Sequence, residues 1–138
     1  MLELVYKSKA KDNITQQEIE QILETAQEFN KTNDLTGCLI FHNKHFIQLL
    51  EGNEDTIRTL YTKISKDLRH HEIELIYEKI KSQRNFESWG MAFVNLDDDD
   101  QFTKKLFEDN VITYAEITPK ITKASDIFWH EVKLLLKK

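Results

Sequence analysis

Three observations predict an α+β fold of ferredoxin-like type. Apolar residues recur with strand and helix periods in the order βαββαββ over residues 1–95, both helices carry recognisable N-terminal caps, and a short polar loop joins the second and third strands as a hairpin. Leu2 to Ser8 alternates, with Leu2, Leu4, Tyr6 and Ser8 on one face, and reads as the first strand. Asp12 to Ile14 turn the chain. Thr15 and Glu18 have capping-box spacing, opening a helix whose stripe is Ile19, Ile22, Leu23 and Ala26; Asn30 continues that stripe. Cys38–Phe41 and His45–Leu50 flank the turn residues His42, Asn43 and Lys44, the pattern of a β-hairpin. Asn53 caps a second helix, with Glu54 and Asp55 at its positive end and Ile57, Leu60, Tyr61 and Ile64 along one face; it ends around Asp67-Leu68-Arg69-His70. Ile73–Ile80 and Met91–Asn95 are the fourth and fifth strands, separated by Arg84–Gly90. A helix over Phe102–Asp109 and a last one from about Thr122, carrying Ile127, Phe128, Val132 and Leu135, form a C-terminal helical extension over 96–138. Two helices on one sheet face, plus this extension in the same compact unit, is the expected architecture.

The 138 residues suit one domain, with a net charge of -5. Lys and Arg are scattered rather than gathered on a stripe, which argues against a nucleic-acid partner. No run approaches the roughly 18 apolar residues of a membrane span, and no basic-then-apolar leader opens the chain. The single Cys38 sits among apolar neighbours and reads as a packed core thiol, which fits a reducing cytoplasm. Asp97–Asp100 reads as a solvated loop, because calcium-ligand spacing and its glycine are absent; no metal is expected.

Gln48 is the informative anomaly. Period-2 alternation puts Phe46, Gln48 and Leu50 on one face, so a primary amide sits between two large apolar side chains. An unpartnered amide in a core costs about 1–3 kcal/mol, so Gln48 either bonds to protein polar groups or faces a ligand offering a donor and an acceptor. In this fold the two early helices cover one sheet face and leave a groove between them. Ile22 and Ile64 are candidates for its walls; they could sandwich a flat ring or touch each other. Taken singly, Tyr6 reads as a core tyrosine, Asn30 as a helix C-cap, and Arg69 and His70 as helix-end cations.

Taken jointly they read otherwise. Tyr6, Asn30 before Leu35-Thr36-Gly37, Phe46-Ile47-Gln48-Leu49-Leu50-Glu51-Gly52, Asp67-Leu68-Arg69-His70 and Arg84-Asn85-Phe86-Glu87-Ser88-Trp89-Gly90-Met91 occur in order over residues 1–95. This pattern resembles the BLUF domain, a blue-light sensor module that uses FAD. The resemblance implies a flavin ring, of FAD or of FMN, between Ile22 and Ile64. It implies that Asn30 bonds the ring's carbonyl and N–H edge and that Gln48 lies between the ring and the Tyr6 hydroxyl. Arg69 and His70 match a basic pair near the polar edge and phosphate side, Lys63 is a further candidate, and Asp67 caps or orients that pair. Trp89 and Met91 match residues that compete for a place beside the glutamine and report its state; Gly90 stands where Ser or another small residue is common. Light would drive electron and proton transfer from Tyr6 and a hydrogen-bond switch at Gln48, with no substrate turned over. The chain is then expected to be a stand-alone photoreceptor and not an enzyme. Its signal would pass to a homo-oligomer or a protein partner through the C-terminal helices, with Phe107, Ile127, Phe128, Trp129 and Leu134–Leu136 as apolar material. The rival readings on this fold are a small acyl-phosphate hydrolase and a sheet-based RNA binder. The first wants an arginine in a Gly-rich phosphate loop, and none of Arg58, Arg69 or Arg84 lies in one; the second wants a basic, aromatic sheet face, which the acidic balance opposes.

Overall fold

The computed structural model describes residues 1–82, 92–95 and 123–136. The elements are β1 (Leu2–Ala10), α1 (Gln16–Thr32), β2 (Thr36–His42), β3 (His45–Gly52), α2 (Glu54–Ser65), β4 (His70–Ile80), β5 (Ala92–Asn95) and α3 (Lys123–Leu136). The sheet order is β4-β1-β3-β2-β5, antiparallel throughout except where β5 runs parallel to β2. Arg84–Gly90, the acidic loop, the expected helix at Phe102–Asp109, and both Trp89 and Met91 lie outside the described residues.

Local chemistry accounts for the elements. Thr15 and Glu18 close a reciprocal capping box on α1, and the Asn53 side chain accepts from the Thr56 N–H to cap α2. The hairpin turn is tighter than expected: His42 belongs to β2 and pairs with His45, leaving the two-residue loop Asn43-Lys44. Both loop residues have positive φ, 48° and 61°, the mirror-image turn whose twist matches that of the strands. The second helix is also shorter than expected. It stops at Ser65, and His70 and His71 join β4 by pairing with Ala10 and Lys9. Between them, the Asp67 carboxylate accepts the Arg69 backbone N–H at 2.9 Å, a local turn that competes with continued helix.

Strand alternation gives the sheet two different faces. Leu2, Leu4, Tyr6, Leu39, Phe46 and Leu50 join Ile19 of α1 and Ile57 of α2 in one apolar cluster. The other face carries Lys7, which reaches Glu131 of α3 at 3.4 Å. Phe128, Val132 and Leu135 of α3 are buried, so the sheet is covered on both sides. That is why β2 and β3 are buried along nearly their whole length while edge strand β4 is not. On the α3 side Lys81 bonds both Glu3, at 2.7 Å, and Glu51, and both carboxylates are buried. Gly37 has φ of 151°, and a Cβ there would lie 1.9 Å from the Leu49 carbonyl oxygen; only glycine lets β2 approach β3 at that point.

Candidate functional site

A cavity of about 260 Å³ opens between α1 and α2 above the sheet, just below the usual size range of small-molecule sites. It is lined by Tyr6, Ile22, Asn30, Gln48, Lys63, Ile64, Arg69 and His70, so every expected binding residue faces one space. Ile22 and Ile64 stand on opposite walls, one on each helix. Phe29, Leu39, Phe46 and Leu60 complete the apolar lining, and Asp67 is part of it as well. Phe29 was legible but missed, because it lies seven residues after Ile22 and three after Ala26, on the same helical stripe.

Polar groups gather at two ends. At the inner end the Tyr6 hydroxyl donates to Gln48 Oε1 at 2.5 Å, and both residues are buried. Opposed registry in β1 and β3 sets this contact, since Tyr6 and Gln48 are direct cross-strand partners. Burial pushes the Tyr6 phenol well above its ordinary pKa, with smaller contributions from Tyr61 and Asp67. The Tyr61 ring meets Tyr6 edge-on, with centroids 5.7 Å apart. Asn30 is buried in the last turn of α1, and neither its amide nitrogen nor its amide oxygen has a hydrogen-bond partner. An orphaned donor and acceptor side by side in a cavity wall suit a ligand edge with adjoining C=O and N–H groups. A flavin ring has such an edge.

The outer end is charged. Arg69 forks onto Asp67, with Nε at 3.0 and 3.1 Å and Nη2 at 2.5 Å from its carboxylate oxygens. The guanidinium holds the Asp67 carboxyl below the usual carboxylate range, and hydrogen bonding to Asp67 raises Arg69. His70 Nε2 donates to the Ile64 carbonyl at 2.5 Å, and its Nδ1 lies 2.8 Å from Ser8 Oγ. His70 thus ties β1 to the C-terminus of α2 and fixes the backbone of the Ile64 wall. Lys63 places its ammonium 5.8 Å from the Phe29 ring centroid, linking the helices at the rim.

Cys38 lies buried in β2 with its thiol pushed up to about 12 by desolvation, a core residue and no nucleophile. Among the described residues no cluster of His, Cys, Asp and Glu could hold a metal ion, and no helix is long and apolar enough to cross a membrane.

A family model described as sensors of blue light using FAD, abbreviated BLUF, matches residues 1–92. The chain belongs to the BLUF family. It is similar to the blue light- and temperature-regulated antirepressor BluF of Escherichia coli (strain K12), with 34% identity over 93 residues, 67% of this chain and 23% of that protein. Among solved structures it resembles the dark state of the BLUF protein BlrB, with a TM-score of 0.65 and 27% identity across 85% of this chain and 91% of that one. It also resembles a bacterial light-regulated adenylyl cyclase, with a TM-score of 0.67 and 29% identity across 83% of this chain and 35% of that one. The chain spans less than a quarter of the length of the curated BLUF relative. The α+β fold expected from the sequence is the BLUF fold, and α3 lies on the second face of its sheet.

Proposed function

We propose that this BLUF chain is a blue-light photoreceptor that binds FAD in the cleft between α1 and α2. Light would be stored as a rearranged Tyr6–Gln48 hydrogen bond, read by a second copy or by a protein partner. The observation that carries the reading is the buried 2.5 Å bond from Tyr6 to Gln48 Oε1 on the cleft floor, with the unpartnered Asn30 amide lining the same cleft.

Bound FAD would supply the chromophore and, once excited, an oxidant strong enough for a phenol. Asn30 offers its donor and acceptor to the ring edge, and Ile22 and Ile64 hold the ring faces. Lys63 and Arg69 supply cations for the phosphate side, with His70 as the clamp on the Ile64 wall. Tyr6 would serve as the electron donor to that oxidant and as the proton donor along its bond to Gln48, with both returned at the end of the cycle so that no net oxidation remains. Burial keeps water from intercepting that proton. Gln48 now presents its oxygen to Tyr6; rotation or tautomerisation of the amide exchanges acceptor for donor without moving the backbone. Trp89 and Met91, which lie outside the described residues, are the proposed reporters of that exchange. No bond in any substrate is made or broken, so the chain acts as a sensor and not as an enzyme, in the cytoplasm.

Purified protein should be yellow, with a flavin spectrum that shifts to the red under blue light and recovers in the dark. Mass spectrometry of the released cofactor distinguishes FAD from FMN. Tyr6→Phe and Gln48→Leu should each keep the flavin and lose the shift. A colourless protein that takes up no flavin refutes the reading, and a normal shift in either variant removes that residue from the switch.

A further inference from the structure

Tyr6 has an aromatic neighbour to which the photocycle above gives no part. Among the described residues only Tyr61 of α2 makes a ring contact with it, edge-on, with centroids 5.7 Å apart and planes at 64°. Tyr61 stands behind Tyr6, outside the lining of the cleft. The two phenols differ in burial. Tyr6 is 4% exposed, whereas Tyr61 is half-buried and keeps part of its surface in water. Tyr77, the other described tyrosine, pairs with Val5 and so sits on the opposite face of the sheet from Tyr6.

Burial matters here because a phenol that loses an electron must also lose its proton. Tyr6 is bonded to Gln48 at 2.5 Å and is shut off from water, so Gln48 takes its proton. Tyr61 can release its own to solvent. Two like phenols in ring contact differ little in their intrinsic ease of oxidation, so the electron vacancy settles on the one whose proton can leave. We propose that Tyr61 is a second electron donor, which reduces oxidised Tyr6 and carries the oxidising equivalent to the protein surface. This rests on the flavin reading above. In the step, Tyr61 gives one electron to Tyr6 and its phenolic proton to water, and becomes a neutral phenoxyl radical. Tyr6 recovers its electron from Tyr61 and its proton from Gln48, while the electron taken at excitation stays on the flavin. The Tyr6–Gln48 bond is thereby restored in its starting form without the switch having closed, so the step competes with the light signal. The way back leads through Tyr6, and the Tyr61 radical therefore outlives that of Tyr6.

Tyr61 also packs against the apolar cluster beneath the helices, and that role is separable. Phenylalanine keeps the ring and its edge-on contact and removes the hydroxyl whose proton the step needs. The experiment illuminates the flavin-loaded chain with blue light in the presence of a nitroso spin trap, then digests it and maps the trapped tyrosyl adducts by mass spectrometry. An adduct on Tyr61 is expected in the unaltered chain. It should vanish in Tyr61→Phe, which keeps the red shift, and in Tyr6→Phe, which removes the link between Tyr61 and the cleft. Adducts confined to other residues, or no trapped tyrosyl in a chain that shifts normally, overturn the proposal. A Tyr61 adduct that survives Tyr6→Phe overturns the relay through Tyr6, and loss of the red shift in Tyr61→Phe overturns it by placing Tyr61 in the switch itself. An unaltered chain that takes up no flavin, or takes it up and shows no shift, refutes the flavin reading instead.

Discussion

Replacing Asn30 with leucine should stabilise the flavin-free protein while weakening flavin binding. Asn30 is 1% exposed and both polar atoms of its side chain lack partners, so the free protein bears the desolvation of a whole amide. An unsatisfied buried polar group costs about 1–3 kcal/mol, and leucine adds about 0.5 kcal/mol of helix propensity at a position inside α1. Leucine is close to asparagine in size and faces Ile22 and Phe29 across the same lining, so little of that gain is lost to overpacking. Unfolding entropy of about 2.1 cal/mol/K per residue gives about 0.29 kcal/mol/K for 138 residues. A net gain of about 1–3 kcal/mol therefore raises Tm by about 3–10 °C. The bound state moves the other way, because the variant forfeits two hydrogen bonds to the ring edge, worth about ten- to a hundredfold in Kd. Calorimetric melts of flavin-free protein and fluorescence titrations with flavin measure the two effects separately. A flavin-free variant that melts below the parent and binds flavin equally well would refute both the orphaned amide and its assigned partner.

Two further perturbations test other parts of the fold. Lys81→Met takes the cation away from two buried carboxylates, Glu3 and Glu51, and should cost about 3–5 kcal/mol, a Tm loss of about 10–17 °C; adding Glu3→Gln and Glu51→Gln should recover most of it, and an unchanged Tm in the single variant would sink the account. Ultraviolet titration at alkaline pH should find one phenol, absent from Tyr6→Phe, that ionises well above the ordinary tyrosine range, since burial raises the folded pKa of Tyr6. The contribution of Tyr6 to stability is then complete below the unfolded value near pH 10 and declines above it by up to about 1.4 kcal/mol per pH unit; loss of all four phenols together near pH 10 in folded protein would contradict it.

The parts of this fold that were legible in the sequence are those written in local chemistry. Caps at Thr15 and Asn53, strand alternation at Tyr6 and Gln48, and the stripe ending at Asn30 each need only neighbours a few residues away. The cleft lining followed from them, because two amphipathic helices over one sheet face must leave a seam. The boundaries that shifted depend on distant partners. His70 reads as a helix end by composition, but pairing with Ala10 and bonding to Ser8 draw it into β4. The Glu3–Lys81–Glu51 cluster was invisible for the same reason: its members are dozens of residues apart and sit at ordinary alternating positions. The Asp67–Arg69 fork was half visible. Its spacing suggested a local pair, but only the cleft geometry reveals that the pair faces a ligand space.

On the proposed reading, a small energy has to be read over a distance, and that constrains where the signal leaves. Exchanging one hydrogen bond at Gln48 is worth about 1 kcal/mol, which shifts a two-state equilibrium about fivefold. Such a shift cannot rearrange β1 or β3, central strands paired along eight positions. It can bias an element that is already near balance. Tyr6, Gln48, Leu39 and Phe93 form one cross-strand row over β1, β3, β2 and β5. The row ends on the four-residue strand β5, which follows directly on Met91 and, among the described residues, pairs with β2 alone. β5 has the fewest backbone pairings to exchange, and a change of side-chain neighbour beside Gln48 is felt there after two strands. α3 gives the opposite face a second lever: Lys7, next to Tyr6, divides its ammonium between Glu131 of α3 at 3.4 Å and Glu74 of β4 at 3.7 Å. A redistribution of that ammonium between the two carboxylates, with β1 itself in place, would loosen or tighten α3.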